Sequence, residues 1–183
     1  MEDNPWKTKK SEQVYESQWI KVMRHEVLNP VDKPAIYSVV NFKNLAIGIL
    51  PLDNEHHTWL VGQWRYPVND YSWEIPEGGG PLGIDPLESA KRELKEETGI
   101  IAKNFKEIMR LHLSNSATDE LAIVYIATDL SFEESEPEES EILQVKKIHI
   151  SEAYNWVISG KITDAITVAA ILKTQILLDK NEI

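Results

Sequence analysis

Glu93, Glu96 and Glu97 are the residues whose type and spacing invite chemistry. Intervals of three and four residues set their side chains next to one another on one side of a helix. Carboxylates crowded in this way repel, and the repulsion changes sign when a hard divalent cation sits among them. Mg²⁺ suits such a place, because it takes oxygen ligands, keeps several waters and completes its shell with a substrate phosphate. Just upstream lies Gly78-Gly79-Gly80, where missing side chains let the backbone come close to the same ion or phosphate. In isolation E-x-x-E-E reads first as a wet acidic helix face. Its surroundings favour the metal.

Those surroundings are a helix with a defined start and stop. Asp85 suits an N-cap, since its side chain accepts from free N–H groups of the first turn. Pro86 suits the first helical position, where a missing N–H costs nothing. Glu88, three residues after Asp85, extends the pattern to a capping box. The helix is expected to run to Thr98, with Gly99 taking left-handed angles after it. Leu87, Ala90 and Leu94, with Ser89 beside them, form the inward stripe, and the three glutamates occupy the other face.

The whole stretch from Trp73 to Ile100, WEIPEGGGPLGIDPLESAKRELKEETGI, resembles the box of the Nudix hydrolases, G-x5-E-x7-R-E-U-x-E-E-x-G-U, where U is a bulky aliphatic residue. Gly78 opens it, and Arg92-Glu93-Leu94-Lys95-Glu96-Glu97-Thr98-Gly99-Ile100 matches its specific half at each defined position. One position departs: Ile84 stands where the family has its first glutamate. In the family that glutamate mainly braces the box by pairing with the arginine, here Arg92. The resemblance therefore implies a metal site that survives Ile84, with Glu88, four residues before Arg92, as the replacement partner.

Three further segments, Gln63-Trp64-Arg65-Tyr66-Pro67, SWEIPEGGG (72–80) and GKITDA (160–165), are similar to the branch that cleaves nucleoside diphosphate sugars and ADP-ribose. An arginine between aromatics suits a nucleotide, guanidinium on phosphate and rings on base, though it also reads as an ordinary surface cation–π pair. The resemblance implies an α/β fold, a Nudix-type α-β-α sandwich with a mixed β-sheet and an N-terminal β-strand extension. Residues 1–42 would be that extension, pairing with a second subunit in a homodimer, and 43–183 the hydrolase domain. The implied reaction is Mg²⁺-dependent hydrolysis, with Mn²⁺ as a substitute, of the pyrophosphate bond of a nucleoside diphosphate sugar such as ADP-ribose or GDP-mannose. Its products are a nucleoside monophosphate and a sugar phosphate.

By the same resemblance Glu93 and Glu97 ligate the ion directly, joined by a backbone carbonyl near Glu77, while Glu96 acts through water or a second ion. Arg65 holds the diphosphate and Glu74 also belongs to the substrate site. Trp19 either stacks on a base near the dimer seam or is a core tryptophan. The polar loop from Leu113 to Glu120 lies near the substrate. Asp129 to Glu141 carries seven acidic residues and no basic one. By itself it reads as a solvated linker kept off helix by Pro137. The resemblance places in it a carboxylate that takes the proton of the attacking water, Glu138 or Glu139, or completes the metal shell, Glu141. Two other readings stay open: a catalytically weak or inactive relative that binds and senses nucleotides, and a pyrophosphatase for other nucleotides.

The elements that must position these groups follow from patterning. A chain of 183 residues, 42% hydrophobic, suffices for one α/β domain with a small N-terminal extension. No cysteine occurs, which excludes thiol catalysis, disulfides and zinc–thiolate sites and fits a cytoplasmic protein. The formal net charge of −11 gives no general attraction for nucleic acid or anionic membrane, and there is no run of apolar residues long enough to span one. It also repels phosphorylated substrates unless cations intervene. Residues 1–13 read as a mobile end, and Trp19–Val27 as a strand. Ala35–Phe42 and Leu45–Pro51 read as a hairpin around Lys43-Asn44. Thr58–Trp64, Lys103–His112, Leu121–Thr128 and Leu143–Ile150 read as further strands. Ser151 is expected to cap a helix to Ile158, and Asp164 the apolar, core-packed last helix.

Overall fold

A computed structural model describes residues 3–135 and 142–183. In chain order the elements are β1 (Lys7–Glu16), β2 (Ile20–Leu28), β3 (Pro34–Phe42), β4 (Asn44–Pro51), β5 (His57–Arg65), β6 (Asp70–Glu74), β7 (Glu77–Pro81), α1 (Pro86–Thr98), β8 (Ile100–His112), β9 (Leu121–Phe132), β10 (Gln144–His149), α2 (Ile150–Ile158) and α3 (Ala165–Asp179). They form three sheets, ordered β1-β2-β3, β10-β5-β6 and β7-β4-β9-β8. The last is mixed: β4 runs parallel to β9 and antiparallel to β7.

The central strands β4 and β9 are apolar on both faces because both faces are covered, as buried mixed sheets require. Ile47 and Ile49 of β4, with Ile123, Tyr125 and Ala127 of β9, join Ala90 and Leu94 of α1 in one core. The alternate residues, Leu50 of β4 and Ala122, Val124 and Ile126 of β9, join Ile166, Ala170 and Ile171 of α3 in the other. The result is an α-β-α sandwich with α1 on one side and α2 and α3 on the other. Among the described residues no helix is long and apolar enough to cross a membrane.

Several sequence expectations change. The N-terminus is ordered as β1 over Lys7–Glu16, paired antiparallel with β2 although all ten of its residues are exposed. No hairpin forms at Lys43-Asn44: β3 pairs with β2, and β4 with β7 and β9. A two-residue hairpin turn needs positive φ at its centre, typically from Asn-Gly. Here the Lys43 N–H donates to Trp19 O (3.0 Å) and Asn44 already pairs with Pro81, so the chain steps from one sheet to the next. The triple glycine is a strand, β7, not a loop. β9 continues beyond Thr128 to Phe132, opposite Ile100, taking in the start of the expected acidic loop. α2 starts two residues early, with His149 as its N-cap instead of Ser151.

Candidate active site

The Asp85 carboxylate accepts from Leu87 N–H (3.0 Å), Pro86 occupies the first turn, and Gly99 closes the helix in the left-handed region at φ 72°. Glu88 does not complete the capping box; it pairs with Lys91 (2.7 Å). Nor does it partner Arg92. That guanidinium turns toward β7, donating to Gly79 O (3.0 Å), Glu93 (2.5 Å) and Glu96 (2.8 Å). Arg92 thus has three acceptors without any help from position 84, and Ile84 is 54% exposed.

Glu93 and Glu97 are not on a wet face. Both are buried, with Ala90 and Leu94, because β7 lies against their side of α1. The close approach explains the glycines: a Cβ at Gly78 would overlap the Glu93 carboxylate, and one at Gly80 would press on Ile47. Glu97 Oε2 accepts from Glu77 N–H (3.0 Å), fixing the helix to the strand where the glycines begin. Glu96 stays half exposed.

Arg65, at the end of β5, meets this corner from the other side. It forks onto the buried Glu74 (2.5 to 3.1 Å) and reaches Glu77 (3.2 Å). The Glu74 hydrogen bonds push the guanidinium's pKa up despite partial burial. Glu77 Oε2 is buried with no hydrogen-bond partner among the described residues. Burial, then the nearby Asp164 and Glu74 carboxylates, push the Glu77 carboxyl well above its ordinary value, against the pull of Arg65. Oxygens of Glu74, Glu77 and Asp164 lie within 4.8 Å of one another. Asp164 was expected only to cap α3, which it does through Thr167 N–H (2.7 Å). Its place in the cleft had one available signal, its position inside the GKITDA segment.

A cavity of about 340 Å³ opens here, lined among others by Arg65, Glu77, Gly78, Gly79, Glu120 and Asp164. Trp19 also lines it and is 60% exposed, so it is not a core tryptophan of this chain. Trp19, Arg65 and Glu77 thus line one cleft; Glu74 joins it through Arg65, Glu97 through the Glu77 N–H, Glu93 through its contact with Gly78, and Glu96 only through the shared Arg92. Glu138, Glu139 and Glu141 lie outside the described residues. Oxygens of Glu74, Glu77 and Asp164 converge here, and Glu77 Oε2 has no hydrogen-bond partner among the described residues; an all-oxygen set of this kind fits a hard divalent cation.

The model of the NUDIX domain matches residues 42–166, and that of the nucleoside diphosphate sugar hydrolase N-terminal domain matches residues 6–40. The chain is 31% identical over 172 residues to an ADP-ribose pyrophosphatase of Bacillus subtilis (strain 168), covering 93% of this chain and 92% of that one. It is 28% identical, with the same coverage, to a methanol dehydrogenase activator of Bacillus methanolicus. Among solved structures, an ADP compounds hydrolase superposes with a TM-score of 0.88 over 99% of this chain and 98% of that chain, at 20% identity, which speaks to the fold. A domain model spanning most of the sequence, on a sandwich whose glycine strand and glutamate helix form one cleft, leaves a single assignment: the chain belongs to the NUDIX domain family.

Proposed function

We propose that the protein hydrolyses the pyrophosphate bond of nucleoside diphosphate sugars, releasing a nucleoside monophosphate and a sugar phosphate. The observation that carries this reading is the cleft itself: buried Glu93 and Glu97 face a glycine strand whose end meets Arg65 and an unpartnered Glu77 oxygen. The relatives named as ADP-ribose pyrophosphatase, and the matched N-terminal domain of nucleoside diphosphate sugar hydrolases, support the substrate class.

In this reading Glu93 and Glu97, with a backbone carbonyl near Glu77, would hold Mg²⁺, and Glu96 would act on it through water. The ion would supply neutralisation of diphosphate charge and a lowered pKa for the attacking water. The chain's own side chains do the rest. Arg65 orients the phosphates, and Glu74 holds Arg65 in place from its buried side. Arg92 draws Glu93 and Glu96 toward Gly79, presetting the helix against the strand. Trp19 offers an exposed ring for the base. Glu138 or Glu139 accepts the water's proton, and Glu141 adds to the metal shell. A homodimer through residues 1–42 and a cytoplasmic location belong to the same reading.

The test is a panel of ADP-ribose, ADP-glucose, GDP-mannose and UDP-glucose, assayed with and without Mg²⁺. Release of nucleoside monophosphate from at least one, dependent on the ion, is expected. A blank panel, with nucleoside triphosphates cleaved instead, would remove the nucleotide-sugar assignment.

A further inference from the structure

Glu120 lines the cleft and has no part in the reading above. It immediately precedes β9 and lines the same cavity as Trp19, Phe42, Arg65 and Gly79. Among the described residues its carboxylate forms no hydrogen bond and no ion pair; only its backbone oxygen is used, by His112 Nδ1 (3.1 Å). Burial, with Asp119 next to it, raises its pKa above the ordinary value. An acceptor pair is thus held half dry at a substrate-sized opening with nothing to accept from.

Its position is fixed by the neighbouring residues. Asp119 accepts from Phe42 N–H (2.8 Å) and Asn41 Nδ2 (2.7 Å), both at the end of β3. The Val40 N–H donates to Ala117 O (2.9 Å), Asp119 N–H to Val40 O (3.2 Å), and the Tyr37 hydroxyl to Ser116 O (2.6 Å). The loop before Glu120 is therefore stitched to the N-terminal sheet. On the other side, Ala46 of β4 pairs at once with Ala122 of β9 and Gly79 of β7. Two strand spacings, about 10 Å, thus separate the glycine strand from the strand that carries Glu120. The glycines and Arg65 form the phosphate side of the cavity, and Trp19 and Phe42 its aromatic wall.

A carboxylate in this place repels phosphate. What it accepts from is a neutral donor, and the two adjacent hydroxyls of a ribose match its two oxygens. We propose that Glu120 is a specificity-determining residue that grips the 2′,3′-diol of the nucleoside ribose, between the phosphates on the glycine strand and the base on the aromatic wall. This rests on the nucleotide-sugar reading for the substrate's presence, but on the cavity alone for its geometry.

The experiment is calorimetric titration of the full chain with AMP and with 2′-deoxy-AMP, for the parent protein and Glu120→Ala. Hydrogen bonds to a charged group set the scale, so AMP should bind the parent about 10- to 100-fold more tightly than 2′-deoxy-AMP. Glu120→Ala should bind both alike, near the parent's affinity for the deoxy compound. Equal affinities in the parent, a preference that persists in Glu120→Ala, or no AMP binding at millimolar concentration would each overturn the proposal. Discrimination between the two monophosphates alongside a blank hydrolysis panel would instead sink the enzymatic reading and leave the diol site standing.

Discussion

At the scale of single residues, Glu97 has two separable jobs. Its Oε2 accepts from Glu77 N–H, and its charge is assigned to the ion. Glu97→Gln keeps an amide oxygen able to accept that N–H while removing the charge. Its melting temperature should stay within a few degrees of the parent. Turnover at saturating Mg²⁺ should fall by more than the roughly 10- to 100-fold that outer-shell partners of a metal site typically cost. Parallel thermal melts and steady-state assays read the two effects, and unchanged turnover would refute the ligand role. The sequence shows this glutamate plainly, because its spacing from Glu93 and the flanking glycines are local. Asp164 and Glu120 are harder to see, because their places in the cleft depend on neighbours distant in the chain: Asp164 looks like a helix cap and is one, and only its GKITDA segment hints at the cleft, while Glu120 is marked only as the end of a polar loop. The partner of Arg92 is also misjudged from spacing. Glu88 stands at the right interval, but the carbonyl of Gly79, thirteen residues away, turns the guanidinium the other way.

At the scale of elements, the contact of β7 with α1 decides whether the carboxylates proposed to hold the ion are aimed. Gly78→Ala puts a methyl group into the Glu93 carboxylate, with no space for it on the helix side. Overpacking of this kind costs about 1–3 kcal/mol, and moving Glu93 should lower turnover as well. Gly83→Ala is the control. Its φ of 87° strains any side chain, yet nothing lies within 4 Å of the added carbon. It should cost about 1–2 kcal/mol from backbone strain alone and leave turnover intact. Chemical denaturation paired with kinetics distinguishes the two; equal turnover in both variants would mean that the strand does not aim Glu93. Elements whose pattern is local, α1, α3, β4 and β9, are legible in the sequence, since each presents a cap or an apolar period to a covered face. The glycine strand is not, because glycine argues against a strand until the helix that needs the space is known. The supposed hairpin at Lys43 fails for the complementary reason: two adjacent strands in sequence belong to different sheets, and the contacts of Phe42 with Asp119, Lys43 with Trp19 and Asn44 with Pro81 separate them.

At the scale of the whole molecule, stability in acid and association can both be read from the surface. Burial alone would raise the Asp53 carboxyl, but Lys147 (2.7 Å) and the N–H groups of His57 and Glu55 outweigh it and hold the value at about 2, below the ordinary 3.8. A depressed folded-state pKa stabilises the fold at pH above the unfolded value and loses that contribution as pH falls through the folded one. The melting-temperature advantage of the parent over Asp53→Asn should therefore be complete above pH about 4 and gone near pH 2; an advantage independent of pH would refute the pairing. The proposed association would use the N-terminal sheet. β1 is exposed along its full length, and Val14, Tyr15, Trp19 and Ile36 leave apolar surface in the open on or beside the three strands. Three strands need a covered hydrophobic face to be stable, whereas Lys7, Lys9 and Lys10 along the outermost strand discourage open-ended edge pairing. A closed two-fold contact satisfies both conditions, covering the face once and leaving no free edge to propagate. The expected state is a homodimer burying on the order of 800 Å² per protomer. Its melting temperature should rise with protein concentration, because association draws on the folded state only. Tyr15→Lys places a charge in that face and should give a monomer in sedimentation velocity, with a concentration-independent melt. A parent chain that sediments as a monomer at tens of micromolar would rule the dimer out, and with it any contribution of a second subunit to the Trp19 wall of the cleft.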